Sequence, residues 1–181
     1  MADNSYHFIT HWRVKGTCAE VADVLGNTKD FARWWPSVYL DVNVLEPGDA
    51  NGLGERASLF TKGWLPYTLR WEFIVAERRY PYGSAIEAHG DFVGRGRWTF
   101  EQDGEFVDVT YDWNIRAEKP LLRTLTPLLR PIFSANHRWA MAQGKRSLEL
   151  ELDRRRAKTA EEREAVAAPP GPTFYRARRS P

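Results

Sequence analysis

Residues 94–113 read GRGRWTFEQDGEFVDVTYDW, and the way this stretch alternates about Asp103-Gly104 decides the fold class. An Asp-Gly pair suits a two-residue turn with positive backbone angles. Setting Gln102 opposite Glu105 places Phe100 against Val107, Trp98 against Val109, Gly96 against Tyr111 and Gly94 against Trp113. Every apolar side chain then falls on one face of the hairpin. The other face pairs Thr99 with Asp108, Arg97 with Thr110 and Arg95 with Asp112, combinations suited to water. Large rings opposite glycines either cover bare backbone or leave space for a guest.

The same period of two runs upstream. Phe8, Thr10, Trp12 and Val14 share one face of a first strand, with His7, His11 and Arg13 on the other. Thr17 and Glu20 have the spacing of a capping box, ahead of a short helix that turns Val21, Val24 and Leu25 inward and stops near Gly26. Asn27 or Thr28 can cap a second short helix ending before Pro36. Strands follow in a meander: Val38, Leu40, Val42 and Val44 alternating with Tyr39, Asp41 and Asn43, then residues 55–61, then Tyr67, Leu69, Trp71, Phe73 and Val75 alternating with Arg70 and Glu72. A weaker strand over residues 84–90 has only Ile86 and Ala88 as its apolar side.

After Lys119 the period lengthens to that of a helix. Leu121, Leu122, Leu125, Leu128 and Leu129 begin a helical segment that Pro127 and Pro131 are expected to kink or interrupt, and a second piece runs to about Leu152. Phe133, His137, Ala140, Met141, Gly144 and Leu148 lie on one stripe of it, expected to face the sheet. The expected architecture is α+β: a seven-stranded curved antiparallel sheet around a long C-terminal helix, with two short helices after the first strand. Residues 1–152 form the domain, and 153–181 a charged helix extension and disordered tail.

Composition narrows the function. The net charge is +2, and residues 153–181 hold eight Lys and Arg against four Asp and Glu, so the body before them is near −2. Such a body lacks the basic stripe of a nucleic-acid enzyme. There is no run of eighteen apolar residues and no secretory layout at the start, so no integral membrane segment is expected and the location is read as cytoplasmic. Cys18 is the sole cysteine, which excludes an internal disulfide. Eight Trp, seven Tyr and nine Phe exceed what a core of this size needs, which suggests a cavity lined by rings. Gly90, Gly94 and Gly96 precede a strand, so they make no dinucleotide fingerprint, and neither a phosphate-binding loop nor a nucleophile elbow is present. No cofactor is expected. His89 with Glu87 and Asp91, and His7 with His11, match no specific metal pattern, and no metal site is assigned.

Three segments carry a family likeness: residues 32–36 (ARWWP), 90–98 (GDFVGRGRW) and 136–141 (NHRWAM). With the order strand, two short helices, meander, long helix, the chain resembles the START-like, or SRPBCC, superfamily, and within it bacterial members of the polyketide cyclase/dehydrase type. The resemblance implies a cavity between the long helix and the concave face of the sheet. The inward positions that would line it are Trp71, Phe73, Trp98, Tyr111, Trp113, Phe133, His137 and Met141. No charged anchor stands out among them.

These residues support carriage of a hydrophobic small molecule, lipid-like or aromatic. A cyclase/dehydratase using His137 as acid or base with Tyr111 beside it is the enzymatic alternative. A protein-partner adaptor or stress regulator with a vestigial cavity is the third reading. Within the ARWWP segment, one of Trp34 and Trp35 reads as a plug for the core, the other as a plug or an entrance wall. The arginines at 154–156, 176, 178 and 179 suit a solvated helix end and loose tail as well as an acidic partner.

Overall fold

The computed structural model describes residues 4–174, and within 121–129 the backbone alone. Strand β1 (Ser5–Lys15) leads into helix α1 (Cys18–Leu25), a 3-10 turn (Thr28–Asp30) and the single helical turn α2 (Phe31–Trp34). Then come β2 (Tyr39–Glu46), β3 (Arg56–Lys62), β4 (Thr68–Arg79), β5 (Gly83–Gly90), β6 (Phe92–Asp103) and β7 (Phe106–Ala117), followed by α3 (Pro120–Arg156) and α4 (Ala160–Ala165). The seven strands form one antiparallel sheet in the order β1-β7-β6-β5-β4-β3-β2. This is the expected α+β helix-grip architecture. The capping box at Thr17 and Glu20 is present, and Val21, Val24 and Leu25 are buried under α1.

Three local expectations are corrected. The β6–β7 hairpin pairs Phe100 with Val109, Trp98 with Tyr111, Gly96 with Trp113 and Gly94 with Ile115, two residues away from the register set by an Asp103-Gly104 turn. Asp103 instead pairs with Phe106, and Gly104-Glu105 makes the turn with Gly104 alone at positive φ, +58°. A turn with glycine first needs no second left-handed residue. Asp103 is held in the ladder by Arg13, 2.7 Å away on β1, and the Gln102 amide nitrogen donates to Gly16, Gly104 and Phe106 carbonyls. A slip of two residues preserves parity, so the apolar face is unchanged.

Tyr39 was expected on the face opposite Val38. An irregularity between Tyr39 and Asp41 instead turns its ring inward against Phe31 and Trp35. Finally, α3 is a single 37-residue helix running through Pro127 and Pro131, where two pieces were expected. The inward directions of the five leucines at 121–129 lie outside the described side chains, and the arginines at 176, 178 and 179 outside the described residues.

Three features seat α3. Gly144 lies so close to Trp35 that a Cβ there would overlap the indole. About two turns further on, Glu151 is 2% exposed and accepts from both Arg33 Nη atoms, at 2.8 and 2.7 Å, and from Arg155 Nε at 2.8 Å. At the far end Arg156 donates to Glu20 at 2.7 Å and to the Lys15 carbonyl at 3.0 Å. No helix among the described residues is long and apolar enough to cross a membrane.

Burial alone would raise the Glu151 carboxyl, but its bonds to Arg33 and then Arg155 outweigh it and hold the group at about 2. Its folded value lies below the ordinary carboxylate range, so the stabilisation is complete above about pH 4.5 and lost as pH falls through about 2. Glu151→Gln should therefore cost about 2 kcal/mol in urea unfolding at pH 7. The difference from wild type should shrink as the pH is lowered below 4.5; a gap independent of pH would mean that the ion pairs are not its source.

Candidate functional site

The curl of the sheet and the oblique seat of α3 leave an interior cavity of about 160 Å³, walled by the concave sheet face, the 3-10 turn, α2 and the first half of α3. All eight positions named from sequence, Trp71, Phe73, Trp98, Tyr111, Trp113, Phe133, His137 and Met141, lie on its wall. The alternation of β4, β6 and β7 puts the sheet rings there, and the helical stripe supplies the other three.

The rings form a ladder across the strands. Tyr111 stacks on Trp98 at 4.0 Å and on Trp113 at 5.7 Å, and Trp113 tilts against Trp71 at 5.7 Å. Gly96 makes the ladder possible, because a Cβ there would stand 2.7 Å from the Trp113 ring. Offset contacts of this kind add to the apolar burial and give a flat, rigid wall. Trp34 is fully buried and plugs the core, while Trp35 both meets Gly144 and lines the cavity.

His137 lies with its ring stacked on Phe8 at 4.1 Å and 14°. Its Nε2 is shut off from solvent and has no hydrogen-bond partner. Burial, with a smaller push from Arg138, lowers the imidazole to about 4. It is therefore neutral at pH 7. Tyr111 is the other polar candidate, and burial raises its phenol well above the ordinary value. Burial raises Tyr39 and Tyr67 too. All four of these polar wall groups are uncharged at neutral pH, and the loss of water around them moves each pKa further from neutrality.

Sequence reasoning missed several wall residues. Asn136 is 8% exposed, accepts from the Leu65 amide at 3.1 Å and donates to Tyr67 Oη at 3.4 Å. Its place three residues after Phe133 and four before Ala140 was a readable signal. Phe8 and Tyr39 complete the aromatic wall. Lys62 and Arg78 also line the cavity, against the expectation that no charged residue would. Neither follows the alternation of its strand. Lys62 closes β3 and is 3% exposed; its Nζ donates to the Thr173 carbonyl and, at 2.9 Å, to the Thr173 hydroxyl, and burial lowers its ammonium.

The histidines weighed as metal ligands lie elsewhere. His7 pairs with Asp112 at 2.9 Å and His11 with Thr110 at 3.2 Å, both on the exposed face of β1, and His89 is exposed on β5. No metal-ligand cluster of three His, Cys, Asp or Glu forms among the described residues.

Solved structures share this arrangement. The Thermus thermophilus protein TTHA0849 superposes with a TM-score of 0.72 at 14% identity, over 84% of this chain and 100% of its own. The Zhui aromatase/cyclase of a Streptomyces species gives 0.66 at 19% identity, over 86% and 98%. Norcoclaurine synthase of Thalictrum flavum, as a point mutant with a transition-state analogue, gives 0.54 at 15% identity, over 81% and 95%. No protein-family model matches the sequence and no curated protein does. The chain shares the fold of these structures, the helix-grip fold that the START-like resemblance implied.

Because His137 is held near 4, below its ordinary 6.5, the unfolded chain binds more protons between those values and stability falls as the pH drops through them. An NMR titration should find the His137 imidazole neutral down to about pH 4. His137→Gln should unfold with a shallower pH dependence between 6.5 and 4; a His137 midpoint at its ordinary value would refute the burial assigned to it.

Proposed function

We propose that the protein binds and carries a hydrophobic small molecule in the cavity between sheet and α3. The observation that carries this reading is the stacked ladder Trp98–Tyr111–Trp113 facing empty space: rings that served only as filler would meet other side chains on their free side. Apolar walls with a few oriented polar groups are the usual form of a small-molecule site. The engineered apolar cavity that holds benzene is about 150 Å³, so a one- or two-ring guest suits the space. The ligand-binding unit we take as residues 1–152, with 153–181 an appendage.

The cyclase alternative has less support. A general acid or base works best with a pKa near the working pH. His137 stands near 4 and Tyr111 well above 10, so neither is poised to pass a proton at pH 7. Similarity to an aromatase/cyclase is a likeness of fold, and fold does not carry chemistry. A packed interior with no pocket would favour the adaptor reading, and the interior holds a cavity.

Calorimetric titration with indole, a neutral two-ring probe, should show saturable binding at one site. Ala140→Trp, which puts an indole into the cavity, should weaken it by about tenfold or more, in line with the loss of the buried contact area. A flat titration of the wild type, or equal binding by the variant with its fold intact, would remove the cavity from this role.

A further inference from the structure

Arg78 is placed in the cavity wall by a defect in β4. Val75 pairs with Ile86 but Glu77 pairs with Ala85, so Ala76 is an extra residue, a β-bulge. Plain alternation from Trp71, Phe73 and Val75 would turn residue 77 inward and residue 78 out. The bulge reverses this: Glu77 faces outward and bonds Arg95 and Arg97, and Arg78 faces the interior. Bulges commonly re-aim a side chain beside a binding site.

Two glycines clear the space the guanidinium occupies. A Cβ on Gly26, at the end of α1, would stand 2.9 Å from Nη1, and one on Gly52, in the β2–β3 loop, 2.9 Å from Nη2. The group is nonetheless poorly partnered. Nη2 donates to the Gly26 carbonyl at a long 3.4 Å, and Nε is closed to solvent with no acceptor. Among the described residues no carboxylate oxygen lies within 4 Å of it, whereas Arg13, Arg33, Arg56, Arg95, Arg97 and Arg156 each have one. A mere strut between α1 and the loop would bond both of them; this one makes a single long bond to α1.

Register then measures the distance to the rings. Arg78 pairs with Ser84, Ser84 with Trp98, and Trp98 with Tyr111. Two strand spacings, about 10 Å, separate the backbones of Arg78 and Trp98, and the side chains of Arg78, Ser84 and Trp98 all line the cavity. A guest with a carboxylate on one or two fused rings can face the guanidinium and the stack at once. Planar guanidinium donors fit a carboxylate in two parallel bonds, stronger than bonds between neutral groups.

The geometry points to Arg78 as the anchor for the carboxylate of a one- or two-ring aromatic acid whose rings lie against the Trp98–Tyr111 stack. This deepens the proposed ligand-binding role and rests on it. The acid supplies the missing acceptors, and the aromatic ladder supplies the flat surface; an aliphatic acid of the same length would use only the first.

Calorimetric titration of the full chain with 2-naphthoate and with its methyl ester separates the two ideas. Naphthoate should bind about tenfold tighter than the ester, as befits a charge-assisted pair over a neutral one. In Arg78→Met the ratio should fall to about one while the ester keeps its affinity, which also reports that the variant is folded; Arg78→Lys should restore part of the preference. If the ester binds and naphthoate binds no better, or if the preference survives in Arg78→Met, the Arg78 assignment is overturned and the cavity reading stands. If neither compound binds, both are overturned.

Discussion

The molecule depends on how closely α3 can approach α2. An open antiparallel sheet with a row of aromatic side chains on one face must be covered, and only one long helix is available to do it. Trp35 pressed onto the bare backbone of Gly144 sets the distance, and Glu151, bonded to Arg33, fixes the rotation of the helix about that point. Past this contact the C-terminal half of α3 packs directly, with Leu148 and Leu152 fully buried. Before it, the helix bridges the curled sheet and the cavity opens beneath Phe133, His137 and Met141. A larger residue at 144 would move the fulcrum and with it the cavity.

Much of the fold was legible because period-two and helical patterns are determined by which face loses water, and that signal survives small errors in pairing. The β6–β7 hairpin shows how: the turn was placed one residue early and every pair was off by two, yet the inward set was unchanged. The side chains at 133, 137 and 141 could be assigned to the sheet-facing stripe from helical spacing, and to a cavity wall only with the resemblance. What sequence could not reveal are events that break the period. The irregularity at Tyr39 and the bulge at Ala76 leave no mark in composition, since each is a choice of backbone made by neighbouring strands. The residues they redirect, Tyr39 and Arg78, are polar wall groups. The continuity of α3 through two prolines was equally hidden, because each proline removes one hydrogen-bond donor but flanking turns can still hold the helix.

The cavity is electrically unusual. Its histidine and its phenols are neutral, and the exclusion of water holds them so over a wider pH range, so they offer hydrogen bonds without charge. The fold therefore supplies shape and surface, and whatever selectivity exists comes from the few groups able to distinguish one end of a guest from the other. Structures of the same fold include a cyclase and a synthase, which shows how little the shared frame constrains chemistry.

Two cations reach the cavity wall, at opposite ends of β4, and their differing states argue which end is polar. Lys62 pairs with the β4 residue Thr68 at one end, and its ammonium is capped by Thr173, which also donates to the Trp64 carbonyl at 3.0 Å. The chain has already provided acceptors there. At the other end, some ten residues along β4 and roughly 30 Å away along the strand, Arg78 keeps a buried N–H unmatched. Most buried polar side-chain atoms have a partner; Arg78 Nε shares the lack of one with His137 Nε2 and the indole nitrogens of Trp34 and Trp35, and differs from them in belonging to a cation. An oxygen acceptor on a guest would meet it. Because its neighbours across the sheet are Ser84 and then Trp98, an occupant of that place would meet a hydroxyl and an aromatic face, a setting that would favour an oxygen-bearing aromatic guest over a saturated chain.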